Sequence, residues 1–232
     1  MNMSRWVATV VLSALMLTAC GPGSESPHTI VLTLIRHAQS EANAADILST
    51  AVPGPALTVL GQEQAADTAA HLKGDGYDGI FASQLLRTQQ TAAPLAAALD
   101  KQVTVLPGLN EISAGAFEGK PAPDMATALI LAPKGWLSGN LGYAIPGSVT
   151  GSQFNSAYTA AVQAIYDSND KKPVAFSSGW AIMMWALLNA RNANPDVLAK
   201  HPLPNVGRVV LKGNPVTGWI ITDWNGITDF TG

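Results

Sequence analysis

Cysteine is nearly absent from this chain of 232 residues, which has only Cys20. A lone cysteine excludes an internal disulfide framework and any Cys₄ or Cys₂His₂ zinc site. Charge is scarce too. Lys, Arg, Asp and Glu make up 12% of the residues, 13 basic against 16 acidic, and no Lys/Arg cluster stands out. That balance argues against nucleic acid as a partner. The apolar run Trp6–Ala19 has 14 residues, short of the ~20 that cross a bilayer as a helix. What is abundant is apolar side chains, at 47%. A chain this apolar buries a sizeable core, which excludes general disorder, and its length suits one α/β-sized domain or at most two small ones.

The N-terminus reads apart from the rest. Arg5 is the only charge before position 25, and the apolar run ends in Leu17-Thr18-Ala19-Cys20-Gly21. A basic start, a short apolar stretch and small residues before a break make a secretory signal. The Leu-Thr-Ala-Cys ending resembles the lipobox of bacterial lipoproteins, in which the cysteine is acylated and becomes the mature N-terminus. The expectation is therefore a signal peptide over 1–19, a lipidated tether over 20–28 and one domain over 29–232. Such a protein is exported and anchored by lipid to the outer face of the bacterial cell membrane. Several acyl chains on one residue anchor firmly, whereas a single chain binds marginally.

From Thr29 onward, short β-rich runs alternate with longer helical ones. Strands are expected at Ile30–Ile35, Gly79–Ala82, Val103–Leu106 and Val174–Ser177, with a terminal pair at Val206–Leu211 and Trp219–Thr222. Helices are expected from an N-cap at Thr58 to about Lys73, over Gln84–Leu99, near Met125–Ala132, over Gln153–Ser168 and over Trp180–Arg191. Repeated β–helix–β units imply a three-layer α/β/α fold with a mostly parallel central sheet. In such sheets the binding crevice lies beyond the carboxyl ends of the strands.

The residues at those ends share a chemistry. Strand one runs into Arg36-His37-Ala38-Gln39-Ser40, with Asn43 soon after; strand two leads to Arg87; strand three leads to Asn110-Glu111; the fourth runs into Ser177-Ser178-Gly179. Only four arginines follow the signal region (36, 87, 191 and 208), and two of them stand at strand ends. Two guanidinium groups, an imidazole and a carboxylate in one crevice suit a phosphate ester. Guanidinium groups meet the charge on a transferring phosphoryl group with paired hydrogen bonds of fixed geometry. A neutral imidazole can attack phosphorus, and a carboxylic acid can protonate the leaving alkoxide.

Leu34-Ile35-Arg36-His37-Ala38-Gln39-Ser40-Glu41-Ala42-Asn43 resembles the signature of the histidine phosphatase superfamily, the phosphoglycerate-mutase-like fold. Leu57 to Ala65, Ala82 to Ala92, Leu109 to Ile112 with Gly115 and Glu118, and Leu203-Pro204-Asn205 are similar to further family segments in the same order. The resemblance implies that His37 is the nucleophile and becomes phosphorylated. It implies that Arg36 and Arg87 hold the phosphate with Asn43 as a lesser contact, that Glu111 donates the proton, and that neither metal nor cofactor is needed. The substrate is then a small phosphorylated molecule.

Two positions depart from the family pattern. Ser178 stands where the family has a second histidine; it is expected at the phosphate too, where its hydroxyl can donate one hydrogen bond but cannot carry positive charge. The expected activity is a phosphomonoesterase weakened at that position, with no mutase activity; the alternative is an inactive protein that binds a phosphorylated ligand. Ala38 replaces a glycine and is expected to shift the loop slightly. A serine hydrolase centred on Ser178 is not supported, because Phe176 and Trp180 stand where the nucleophile-elbow glycines belong. Substrate choice is expected to depend on residues 112–152, where Trp136 and Tyr143 either line the crevice or pack. Oligomeric state is not legible.

Overall fold

The computed structural model of the chain describes residues 27–122, 134–196 and 200–230. The signal-like run, Cys20 and the expected helix over Met125–Ala132 lie outside these residues.

Alternation along the strands builds two apolar faces. In β1 (Ile30–Arg36), Ile30, Leu32 and Leu34 join one buried cluster and Ile35 joins another. β2 (Ile80–Ala82) and β4 (Val174–Ser177) divide the same way, with Phe81 and Ala175 on the first side and Ile80, Ala82, Val174 and Phe176 on the second. A period of two sends neighbouring side chains to opposite faces, so a strand apolar throughout needs cover on both. α2 (Val59–Leu72) and α3 (Leu86–Ala98) cover the Ile35 side with Ala69, Leu72, Ala92 and Leu95. α4 (Gly151–Asp167) and α5 (Gly179–Asn189) cover the other with Tyr158, Ile165, Ile182 and Trp185. On that side the rings of Trp136, Phe154, Tyr158, Trp185 and Trp219 follow one another at centroid distances of 5.4 to 6.0 Å.

With β3 (Val103–Val105), β5 (Arg208–Asn214) and β6 (Gly218–Trp224), the sheet order is β3-β2-β4-β1-β5-β6. β3, β2, β4 and β1 pair in parallel, while β5 runs antiparallel to both β1 and β6. Five strands thus point one way, and the sheet is mixed at one edge. The expected three-layer α/β/α architecture is present.

Boundaries differ from the sequence expectation where local bonding decides them. α3 starts at Leu86 rather than Gln84, because the Ser83 hydroxyl accepts from the amide of Leu85 and holds that residue extended. β5 starts at Arg208 because Val206 has φ of 55°, and it continues to Asn214, whose side chain accepts from the amides of Val216 and Thr217 to close the hairpin.

Two features place the loop after β1. Ser40 caps the short helix α1 (Glu41–Ala44) through a reciprocal pair with Asn43. Thr58 caps α2, and the first turn of that helix lies against the loop: a Cβ on Gly61 would sit 2.0 Å from the Gln39 carbonyl oxygen. Only glycine allows that approach. Ala38 is not among the residues with positive φ, so no glycine is needed there, and its amide donates to Thr91 Oγ1 at 3.0 Å.

Candidate active site

A cavity of about 450 Å³ opens beyond the carboxyl ends of the parallel strands. Arg36, His37, Asn43, Arg87 and Glu111 all border it, so the residues selected from sequence converge on one place.

The floor follows from strand register. Arg36 of β1 pairs with Ser177 of β4, which sets His37 and Ser178 side by side as the two strands leave the sheet. The His37 amide donates to the Ser177 carbonyl at 2.9 Å. His37 Nδ1 lies 2.8 Å from the Ala38 carbonyl oxygen. A carbonyl can only accept, so Nδ1 carries the hydrogen and the lone pair is on Nε2. The His37 pKa lies well below its ordinary 6.5, first because the ring is buried, then because Arg87 and Arg36 oppose a third cation. The imidazole is held neutral, in one tautomer.

Among the described residues, three of the five buried side-chain polar atoms without a hydrogen-bond partner belong to the guanidinium groups of Arg36 and Arg87. Arg87 is 3% exposed, yet its Nε and Nη1 have no hydrogen-bond partner, and Arg36 Nε has none either. Arg36 Nη1 donates to the Leu203 carbonyl at 2.7 Å, and Arg87 Nη2 makes one long bond of 3.4 Å to Ser178 Oγ. No carboxylate pairs with either group among the described residues. Burying an unpaired cation is costly, and a tetrahedral oxyanion supplies the acceptors both groups lack. The chain at Gly179 comes close to Arg36, where a Cβ would be 3.1 Å from Cδ.

Ser178 and Glu111 divide an unexpected task. Ser178 is the N-cap of α5, but its side chain makes no capping bond; the hydroxyl faces Arg87 instead. Glu111 takes the helix amides in its place. Its Oε1 accepts from Ala181 at 2.8 Å and from its own neighbour Ile112 at 2.9 Å, and Oε2 accepts from Trp180 at 3.3 Å. A carboxylate 67 residues before the N-cap therefore does the work of a capping side chain. Complete burial raises the Glu111 pKa above its ordinary 4.5, although those amides and the two arginines pull it down. Oε2, with its single long bond, is the oxygen with room for a proton.

Asn43 borders the cavity and is tied into the cap: its Oδ1 accepts from the Ser40 amide and from Asn205 Nδ2, leaving its own Nδ2 to donate. Trp136 is buried on Phe154 and donates to the Tyr143 carbonyl, while Tyr143 is exposed; neither lines the cavity, and of the two only Trp136 packs in the core. His71 and His201 stay outside it, and His28 stacks on Tyr166 at 4.3 Å.

Sequence reasoning missed several supports. Asn205 Nδ2 donates to the His37 carbonyl, and the Thr91 hydroxyl bridges the Ala38 amide to the Arg87 carbonyl. Glu118 takes the amides of Thr50 and Ala51 and the Thr50 hydroxyl, holding the loop that forms one wall. Trp180 and Met183, one turn apart on α5, form another. Their position directly after a strand-end Ser-Ser-Gly was the available signal.

Comparison with known proteins agrees with this geometry. A PE-PGRS family protein of Mycobacterium tuberculosis is 47% identical over 218 residues, covering 86% of this chain, and the chain spans only 37% of that relative's length. The structure of a mycobacterial glucosyl-3-phosphoglycerate phosphatase in complex with VO₃ matches with a TM-score of 0.70 over 85% of this chain and 100% of that one, at 19% identity, which bears on the fold alone. A phosphoserine phosphatase of Entamoeba histolytica in complex with 3-phosphoglyceric acid matches at 25% identity and a TM-score of 0.68, over 85% of this chain and 98% of that one. Residues 32–226 match the Histidine phosphatase superfamily (branch 1). The match covers every strand-end residue that borders the cavity, and the chain belongs to that superfamily.

Proposed function

We propose that the chain is a metal-independent phosphomonoesterase working through a phosphohistidine at His37. One observation carries this reading: a neutral imidazole, its lone pair on Nε2, borders the same cavity as two arginines, one buried and one half-buried, that each keep buried guanidinium nitrogens without acceptors. Arg36 and Arg87 hold the phosphoryl oxygens, with the Asn43 amide and the Ser178 hydroxyl as further contacts. Nε2 of His37 attacks phosphorus, the ester P–O bond breaks, and Glu111 gives its proton to the leaving oxygen. Water then attacks the phosphohistidine, Glu111 takes a proton back, and phosphate leaves with His37 restored.

The pKa shifts support these roles. At ordinary values of 6.5 and 4.5, His37 is neutral only where Glu111 has already lost its proton. Lowering the first and raising the second moves the two windows toward each other.

Rapid-quench labelling with a ³²P-phosphate ester, stopped in alkali, tests the reading. Label is expected on the wild type and absent from His37→Ala, whose kcat/KM falls by about 10³-fold or more. Unchanged turnover in His37→Ala sinks the assignment. Tight phosphate binding with neither adduct nor turnover supports instead a protein that binds a phosphorylated ligand.

The proposal extends to location. The sequence ending at Cys20 supports export and lipid attachment there, with the domain on the outer face of the membrane. Cys20→Ala is expected to move the protein from the membrane fraction to the soluble one and to abolish incorporation of labelled palmitate. Unchanged fractionation and labelling overturn it.

A further inference from the structure

Besides the residues that act on phosphate, the cavity lining includes Ile47, Leu48, Ile112, Trp180, Met183 and Leu203, which no step of the reaction uses. Three polar side chains that also border the cavity, Gln39, Thr50 and Asn205, already hold partners. The Thr50 hydroxyl donates to Glu118 and accepts from the Ala114 amide. Gln39 Oε1 accepts from Thr58, and Asn205 Nδ2 donates to the His37 carbonyl and to Asn43.

Charge is distributed just as unevenly. Among the described residues the cations bordering the cavity are Arg36 and Arg87, which one phosphoryl group engages, and Asp46 adds an anion to the lining. Two lysines lie two residues along the chain from the lining, Lys120, whose ammonium sits 5.2 Å from the centre of the Phe117 ring, and the exposed Lys200; neither borders the cavity. A second anionic group on a substrate meets apolar carbon and a carboxylate here, without a cation to replace its lost hydration.

We propose that this site selects phosphomonoesters whose alcohol half is uncharged and apolar, and discriminates against esters that carry a carboxylate or a second phosphate. The proposal rests on the phosphatase reading and names its substrate class. Burial of an aryl or alkyl group against the wall favours the first kind, at about 25 cal/mol per Å² removed from water. An unpaired anion opposite Asp46 disfavours the second. The volume, about 450 Å³, holds a phosphoryl group and one ring-sized substituent.

The test compares benzyl phosphate with 3-phosphoglycerate on the full chain; both leave as primary alkoxides, so leaving-group strength does not decide the ratio. kcat/KM is expected to favour benzyl phosphate by about tenfold or more. Ile47→Lys adds a cation at an exposed point of the wall, and Asp46→Asn removes the anion while keeping a residue that tolerates the left-handed backbone there (φ 54°). Each is expected to narrow the ratio by about threefold or more, as fits one charge in a partly solvated site. Equal or better use of 3-phosphoglycerate, abolished by His37→Ala, overturns the selectivity and keeps the phosphatase. If neither ester is hydrolysed, the phosphatase reading falls and selectivity is read from binding. Tighter binding of benzylphosphonate than of 3-phosphonopropionate then supports it, and the reverse order overturns it.

Discussion

The two central strands end at the same level of the sheet, in register, and their next residues have been given different equipment. At the end of β1, His37 is buried, neutral, fixed in one tautomer, and supported by Ala38, Asn205 and the Ser177 carbonyl. At the end of β4, Ser178 is equally buried but makes one long contact to Arg87 and leaves its own helix to be capped by Glu111. The residues proposed as nucleophile and acid are thus firmly held, while the second strand end adds almost nothing to the positive charge of the site. That charge rests on two guanidinium groups, and the experiments below probe how far two suffice.

The sharpest way to break the comparison is to remove Arg87, the cation that touches the β4 side. Arg87→Met is expected to lower kcat/KM by about 10²–10³-fold, the range for losing a preorganised donor to transition-state charge. Stability is expected to move the other way. Arg87 is buried with two nitrogens unpartnered, and an apolar side chain of similar length relieves that cost. A gain of about 1 kcal/mol corresponds to a Tm higher by roughly 2–4 °C in a domain of this size. Thermal melts without phosphate check this; a lower Tm means that the guanidinium has acceptors beyond those described.

Glu111→Gln comes next. The amide keeps one oxygen for Ala181 and Ile112 and gives up only the 3.3 Å bond from Trp180, so α5 retains the shorter of its two capping bonds while the proton is lost. A fall of about 10²-fold is expected for benzyl phosphate, shrinking toward unity for nitrophenyl phosphate, whose leaving group needs little protonation. The pH profile gives the sign. The proposed reaction requires neutral His37 and protonated Glu111, so the acid limb is expected from His37, below pH 6.5, and the basic limb from Glu111, above pH 4.5. Glu111→Gln removes the basic limb. A profile in which that limb survives assigns it to another group.

The contrast between strand ends also explains what was legible in the sequence. His37, Arg36 and Arg87 stand out because a charge-poor chain places rare residues directly after β-branched or apolar runs, and strand register does the rest. The expected Val174–Ser177 strand matches residue for residue, and the Thr58 cap is where it was read. The capping of α5 by Glu111 was not legible, since no local pattern links residue 111 to residues 180 and 181. Nor were the bonds from Asn205 to His37 and from Glu118 to Thr50, which depend on loops folding back over long separations. Trp136 and Tyr143 were ambiguous for a related reason: an aromatic in a Gly/Pro-rich stretch serves a core or a cavity equally well until its neighbours are placed.

The smallest effect is the most direct probe of the β4 end. Ser178→Ala deletes one hydrogen bond of 3.4 Å and no helix cap. Activity is expected to change by less than about threefold, as suits the loss of one weak bond. Ser178→His restores an imidazole beside Arg87. The new ring faces what His37 faces, burial and two nearby guanidinium groups, which hold an imidazole neutral. It therefore gains a donor but not a full charge, and kcat/KM is expected to rise by about tenfold rather than by the 10²–10³-fold of a preorganised cationic donor. Paired measurements on benzyl phosphate at pH 5 and pH 7 separate the two contributions. A rise confined to pH 5 means that the new ring becomes charged; a rise at both means that donation alone is enough. A fall at both pH values shows that the β4 end is shaped around the serine, and that two arginines are the complement of positive charge this cavity accepts.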